Sequence, residues 1–155
     1  MIELLVKKLH KDAKLPTKAH PGEDAAFDIY SIEDISLSCD CRSRTLIVEN
    51  MNLPKMVEIH TGIAISVPNN YYVQVMCRSG LGRKGLKLHL GILDAGYRNE
   101  VTILGQNCGT ETIQVKKGDR VAQLLILPVP DVKVVEVNEL PKSERGNNGF
   151  GSSGR

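Results

Sequence analysis

The chain has 155 residues, of which 41% are hydrophobic, 25% charged and only 4% aromatic. A chain of this length buries roughly two-thirds of its unfolded surface, so one self-supporting core is expected. Its 20 lysines and arginines against 18 acidic residues leave a formal charge of +2, too small to predict stable nucleic-acid binding. No apolar run approaches the roughly 20 residues of a membrane-spanning helix. We therefore expect one compact domain with no membrane span, located inside the cell, in the cytoplasm.

The cysteines and histidines show no metal-binding spacing. Cys39 and Cys41 flank Asp40, but no second cysteine pair or histidine cluster supplies the remaining ligands of a zinc site. A chain that can bury a proper core does not need disulfides, so reduced thiols are expected. Any catalytic metal must then come mostly with its substrate.

Apolar residues recur at every second position along much of the chain, for example in LKLHL, and this period is typical of half-buried strands. The run at 121–130 is apolar on both faces, which predicts a central strand. No apolar stripe with a helical period persists beyond about two turns, so only one short helix is expected, after Arg78. Turn-forming residues separate the runs at 67–71, 94–96 and 116–119. The sequence therefore predicts an all-β domain, with strands near residues 2–9, 26–31, 57–67, 71–77, 86–90, 100–105, 112–116, 121–130 and 132–137.

Two segments depart from this pattern. Residues 32–56 have no clean period, so they form either a long hairpin or an excursion from the core. Residues 141–155 read PKSERGNNGFGSSGR, with four glycines, three serines and two asparagines, a composition that cannot pack a core. We therefore expect a β domain over residues 1–140 and an arm over 141–155 that is mobile when nothing is bound.

The glycines after the 71–77 strand spell GxGxxG, at Gly80, Gly82 and Gly85, which alone would suggest a dinucleotide-binding fold. The following residues have a two-residue period, so no helix N-terminus is available for a pyrophosphate, and this fold is rejected. Glycines beside Arg78 and Ser79 still allow backbone N–H groups to approach an anion, and the arginine fork matches phosphate oxygens. An anion-binding loop is therefore predicted.

Five short blocks occur in a fixed order along almost the whole chain. They are AAFDIYS (25–31), RSGLG (78–82), GILDAGYRNEV (91–101), GDRVAQ (118–123) and RGNNGFGSSG (145–154). In order and spacing, they resemble the five motifs of the trimeric dUTP pyrophosphatase (dUTPase) family. The resemblance implies a distorted, jelly-roll-like β-barrel, a homotrimer with shared active sites, a magnesium ion, and hydrolysis of dUTP to dUMP and pyrophosphate. Such an activity limits uracil incorporation into DNA and supplies dUMP for thymidylate synthesis.

The resemblance assigns the third block to the nucleoside. Asp94 would hold and polarise the attacking water as a general base, although without the other blocks it would be an ordinary turn carboxylate. Tyr97 would pack against the deoxyribose so that a ribose 2'-hydroxyl has no room. Backbone groups near Gly91, Ile92 and Leu93 would read the uracil ring.

The resemblance assigns the other blocks to the triphosphate. Arg78, Ser79 and Gly80 match the phosphate-contacting motif, with Ser79 donating to the oxygen that bridges the α and β phosphorus atoms. Gln123 would hold the attacking water or a phosphate oxygen. Asp28 would lie in the outer shell of the magnesium ion, through a water molecule.

In the arm, the resemblance predicts that Arg145 pairs with the γ-phosphate, Phe150 stacks on uracil, and Gly151 and Ser152 supply donors. Closure of the arm would exclude water from the site.

Alternatives remain at this stage. Leu88 and His89 stand where smaller or polar residues often line the uracil pocket of the family, so the groups that read the base are left open. A dCTP deaminase of the same fold would need a catalytic glutamate where this chain has Leu104, so deamination is disfavoured. A third alternative is a trimer whose nucleotide site controls the binding of a regulator through residues 32–56.

Overall fold

The structure, a computed structural model, describes residues 2–39, 56–89, 91–144 and 146. In these residues, strands dominate and the single helix has five residues, so the all-β prediction is confirmed. No helix in this part of the chain is long and apolar enough to cross a membrane. The elements are β1 (Leu5–Lys8), β2 (Phe27–Tyr30), β3 (Ile35–Leu37), β4 (Val57–Ser66), β5 (Tyr71–Cys77), α1 (Ser79–Arg83), β6 (Leu86–Leu88), β7 (Ile92–Leu93), β8 (Glu100–Asn107), β9 (Ile113–Val115) and β10 (Arg120–Pro128).

The strands form three antiparallel sheets. One sheet has the order β1-β4-β8-β6, the second has the order β2-β10-β5-β7, and β3 pairs with β9 in a third, two-stranded sheet. Hydrogen bonds between the described strands do not join the two large sheets into a closed ring. The fold in this part of the chain is therefore a pair of packed, open sheets, with non-consecutive neighbours as in jelly-roll-like topologies.

The predicted alternation places the core between the sheets. Along β8, every second residue is buried, and Ile103 meets the same core as Ile59 on β4. In the other sheet, β10 is central as expected, and its residues Val121, Ala122 and Leu124 are completely buried. Full burial of each large aliphatic side chain contributes about 1.5–3 kcal/mol. This core holds the β2, β5 and β10 strand ends at which the site lies.

Two irregularities in the strands aim side chains at the site. The pairing of β10 with β2 shifts register between Arg120 and Ala122, and the pairing of β4 with β8 shifts between His60 and Ala64. Gly62 lies inside the second shift with φ of 67°, and an added Cβ would stand 2.9 Å from the Cβ of His10. This position therefore requires glycine, both for its backbone conformation and for the close approach.

The prediction of a strand at 132–137 is wrong. These residues belong to no strand, and Val132, Val134, Val135 and Val137 are 71%, 93%, 63% and 53% exposed. An extended apolar pattern needs a partner strand to become a β-ladder, and none of the described strands pairs with it. The segment is therefore an unpaired apolar run on the surface.

The segment at 32–56 contributes one strand that its pattern did not reveal. β3 pairs with β9, which lies far along the sequence. Residues 40–55, which make up most of the segment, lie outside the described residues. The choice between a long hairpin and an excursion thus stays a prediction.

Candidate active site

The predicted anion-binding loop lies where β5 ends. Arg78 has an extended backbone, with φ of −73° and ψ of 138°, and the short helix α1 begins at Ser79. Gly80 and Gly82 lie inside this helix, and two residues, Lys84 and Gly85, separate it from β6, which begins at Leu86. The short helix is confirmed, and the GxGxxG glycines do not precede the long helix that dinucleotide binding requires.

A buried carboxylate organises the loop. The Asp28 side chain is only 6% exposed, and its Oδ1 accepts a hydrogen bond from Nε of Arg78 at 2.9 Å and from Nε2 of Gln123 at 3.3 Å. Its Oδ2 accepts a hydrogen bond from Nη1 of Arg120 at 3.2 Å. Two guanidinium groups thus compensate one buried negative charge, and they are held in fixed orientations by it.

The β10 bulge makes this cluster geometrically possible. In a regular strand, Arg120 and Gln123 would point to opposite faces, because they are an odd number of residues apart. The register shift after Arg120 adds one residue on the β10 side, so both side chains reach Asp28 on the same face. Arg120 is therefore a member of the site that the sequence did not predict, although it stands in the GDRVAQ block.

A cavity of about 330 Å³ opens beside the cluster. Its lining includes three cationic side chains, those of Arg78, Lys84 and Arg120, together with Gly80. Asp119 is the one carboxylate among the lining residues, and its Oδ2 accepts the backbone N–H of Lys116 at 2.8 Å. The excess of positive charge suits the cavity for a polyanion.

The nucleoside residues lie on a separate hairpin. β7 pairs with β5, and the turn that follows is closed by a 3.0 Å hydrogen bond from the Tyr97 N–H to the Asp94 carbonyl. The Asp94 side chain is exposed, and the Tyr97 hydroxyl donates to the Glu100 carbonyl at 2.8 Å. The Gly91 carbonyl accepts the Val75 N–H at 2.7 Å, and Ile92 and Leu93 follow in β7. The turn thus presents Asp94 to solvent beside an anchored tyrosine.

Glu100 fixes the base of this hairpin, which the sequence did not reveal. Its Oε1 accepts the Gly62 N–H at 2.7 Å, and its Oε2 lies 3.0 Å from Nδ1 of His60. The hydrogen bond with Glu100 raises the pKa of His60 above its usual value, against a smaller opposing effect of burial. The carboxylate therefore ties the start of β8, where the Tyr97 hydroxyl is bound, to the β4 bulge.

The two groups of site residues lie at different levels of β5 in the described chain. Leu93 pairs with Val73, so Asp94 lies level with Tyr72, six residues before Arg78. At about 3.3 Å per residue, this separation is roughly 20 Å. No hydrogen bond or ion pair among the described residues joins the Asp94 turn to the Arg78 loop. The Asp94 turn and the Arg78 loop are therefore two separate groups in the described chain.

Four predicted site residues, Arg145, Phe150, Gly151 and Ser152, lie outside the described residues. Within the described part of the chain, no group of three or more His, Cys, Asp or Glu side chains could hold a metal ion.

Comparison with known proteins gives a consistent result. A family model described as dUTPase matches residues 11–154. The chain is 41% identical to the deoxyuridine 5'-triphosphate nucleotidohydrolase of Clostridium kluyveri, with 99% of each chain covered. It is 40% identical to the enzyme of the same name from Clostridium tetani, with 98% of this chain and 97% of the relative covered.

Among solved structures, the dUTPase of Staphylococcus bacteriophage 80alpha with dUpNHpp superposes with a TM-score of 0.83 at 29% identity, covering 99% of both chains. A dUTPase variant from phage phi11 of S. aureus superposes with a TM-score of 0.74 at 25% identity, covering 90% of this chain and 99% of the other. The phi11 structure shows the coordination of a structural Mg(II) ion.

Proposed function

The chain belongs to the dUTPase family, and from this premise we propose that it hydrolyses dUTP to dUMP and pyrophosphate. The observation that carries the proposal is the cationic cavity next to Ser79, which is lined by Arg78, and the buried carboxylate of Asp28 holds that arginine in place. The biological consequence would be less uracil in DNA and a supply of dUMP for thymidylate synthesis.

The reaction is a water attack on the α-phosphorus. Asp94, exposed on its turn, polarises a water molecule and takes its proton while the new P–O bond forms. The bond between the α-phosphorus and the oxygen that bridges to the β-phosphorus breaks, and pyrophosphate leaves. Ser79 donates a hydrogen bond to that bridging oxygen as negative charge develops on it, and Arg78 stabilises the phosphate oxygens. Gln123 holds a phosphate oxygen or the water.

Selectivity for a deoxynucleotide follows from Tyr97. The hydroxyl is anchored to the Glu100 carbonyl, so the ring cannot easily move aside for a ribose 2'-hydroxyl. Backbone groups of Gly91, Ile92 and Leu93 read uracil, and a base with mismatched donors would leave them unpaired.

Magnesium fits the site only in the outer shell of Asp28. A carboxylate offers about four lone-pair positions. Three of these accept Arg78, Gln123 and Arg120, so one remains on Oδ2 for a metal-bound water. When bound, the ion would neutralise phosphate charge, with most of its ligands supplied by the triphosphate and water. Direct ligation would require breaking an arginine contact.

A homotrimer with shared sites accounts for two features of the structure. The estimated separation of roughly 20 Å between the Asp94 and Arg78 backbones supports a site that a second chain completes. The apolar run at 132–137 has no partner among the described strands, and an adjacent chain offers strand edges that could pair with it. Three heterologous contacts close into a ring.

The remaining expectations complete the proposal. Residues 1–140 form the catalytic domain, and residues 141–155 form an arm that closes over the nucleotide with Arg145, Phe150, Gly151 and Ser152. The described cysteines, Cys39, Cys77 and Cys108, are free thiols, and reduced thiols are typical of cytoplasmic proteins. An intracellular, cytoplasmic location is therefore proposed.

Pyrophosphate release from dUTP, UTP, dCTP and dTTP tests the activity. Rapid hydrolysis of dUTP alone, with magnesium, is expected, and ammonia release from dCTP would instead indicate a deaminase. Asp94→Asn should bind dUTP but lose about 100-fold or more in turnover. Glu23→Gln, an exposed acid elsewhere on the surface, is the matched control and should be fully active. Equal turnover in the Asp94 variant and in the control would refute the assignment of the base.

A further inference from the structure

We propose that Lys84 and Arg120 bind the pyrophosphate portion of the substrate, the β- and γ-phosphates, before the arm closes. The proposal rests on the dUTP-hydrolysing function and adds two residues to the site. Both side chains line the cationic cavity with Arg78. The β- and γ-phosphates would extend into this cavity if Arg78 and Ser79 hold the α–β bridge.

The unused donors of these cations point to a ligand. The structure gives Lys84 no carboxylate partner among the described residues, and its side chain is exposed. Arg120 uses one N–H of its five for Asp28, and the other four have no recorded acceptor in the described chain. Like charges brought together around one cavity repel each other, unless an anion binds between them. A diphosphate supplies many acceptor oxygens and compensates this charge.

The cavity is also open and preorganised. An added Cβ at Gly80 would meet no protein atom within 4 Å, so the wall next to Ser79 leaves room for a ligand. Arg78 donates from Nη1 to the Arg120 carbonyl at 3.3 Å, and both guanidinium groups bind Asp28. The two arginines therefore have fixed directions before substrate arrives, which lowers the entropic cost of binding a polyphosphate.

Asp119 is the one lining carboxylate and opposes anion binding. Its Oδ2 accepts a hydrogen bond from the Lys116 N–H in the turn that precedes β10. This bond partly compensates the charge of the Asp119 carboxylate. Even when Asp28 is counted with Asp119, three cationic side chains face two carboxylates. One excess positive charge does not balance a pyrophosphate anion, so the magnesium ion that accompanies pyrophosphate should strengthen its binding.

Calorimetric titration of the full-length protein with inorganic pyrophosphate, and separately with dUMP, tests the proposal in buffer that contains magnesium. Lys84→Met should weaken pyrophosphate binding by roughly 10- to 100-fold, the range for one charged hydrogen bond, and leave dUMP binding unchanged. Lys84 is exposed, so this variant should fold normally. Arg120→Lys, which keeps the charge but loses the fork, should weaken pyrophosphate binding less than Arg120→Met.

Arg83→Met is the matched control, because Arg83 is exposed and is not among the residues that line the cationic cavity. It should bind pyrophosphate like the wild type. Wild-type affinity for pyrophosphate in the Lys84 and Arg120 variants would overturn the proposal, as would a wild-type protein that does not bind pyrophosphate. Failure of the wild type to hydrolyse dUTP, while the Lys84 variant loses pyrophosphate binding, would instead refute only the proposed reaction.

Discussion

Asp28→Asn is the sharpest test of how the site is held together. The substitution keeps the shape of a side chain that is 6% exposed but removes its charge and turns one acceptor oxygen into a donor. In the native protein, Oδ2 accepts from Arg120, while Oδ1 accepts from Arg78 and Gln123. The amide can satisfy only part of this set, whichever way it is turned.

The size of the effect follows from the two arginine contacts. Hydrogen bonds to charged groups contribute about 1.5–3 kcal/mol each. The arginine side chains are 27% and 45% exposed, so solvent screening favours the lower value, and two contacts give about 3 kcal/mol of unfolding free energy. For a chain of this size, each kcal/mol shifts Tm by about 2–4 °C, so a decrease of roughly 6–12 °C is expected.

Thermal unfolding followed by circular dichroism measures this decrease, and kcat/KM for dUTP should fall at least about tenfold as the arginines lose their alignment. Asp34→Asn is the control, since Asp34 is 64% exposed and pairs with Lys116 across 3.6 Å at the surface. Its Tm and activity should stay close to those of the wild type. If Asp28→Asn behaved like this control, the buried carboxylate would not be what positions the arginines.

Three further predictions follow from the hairpin, the arm and the His60 pair. Tyr97→Phe loses the 2.8 Å hydrogen bond to the Glu100 carbonyl, so the preference for dUTP over UTP should fall several-fold by comparison of kcat/KM, and an unchanged preference would show that ring packing alone suffices. Removal of residues 141–155 should leave Tm nearly unchanged but lower turnover about 100-fold or more, so full activity in the truncated protein would exclude a closing arm. Because Glu100 raises the pKa of His60, the pair stabilises the fold fully below about pH 6.5 and less as the pH rises through the folded-state pKa. Urea unfolding should thus show that the free energy of unfolding of the wild type falls between pH 6 and 8, and that it falls less in His60→Gln. Parallel pH profiles of the two proteins would contradict a stabilising His60–Glu100 pair.

The sequence alone determined most of the strand content and the order of the site motifs. Period-two alternation depends only on which residues lie on each face, so the buried positions of β8 and the central place of β10 were predictable. Local turn chemistry likewise predicted the turns at 67–71, 94–96 and 116–119. These signals act over a few residues, and the tertiary structure confirms them.

Only the tertiary structure decided which distant residues meet. Arg120 reaches Asp28 through a β-bulge that no local pattern predicts. Glu100, at the start of β8, binds Gly62 on the neighbouring strand β4. The alternation at 132–137 predicted a strand, but an apolar period carries no information about a pairing partner, and none of the described strands pairs with this segment. Local periodicity specifies the face of a side chain, whereas register and partner choice depend on the packing of whole sheets, and the composition of the site depends on both.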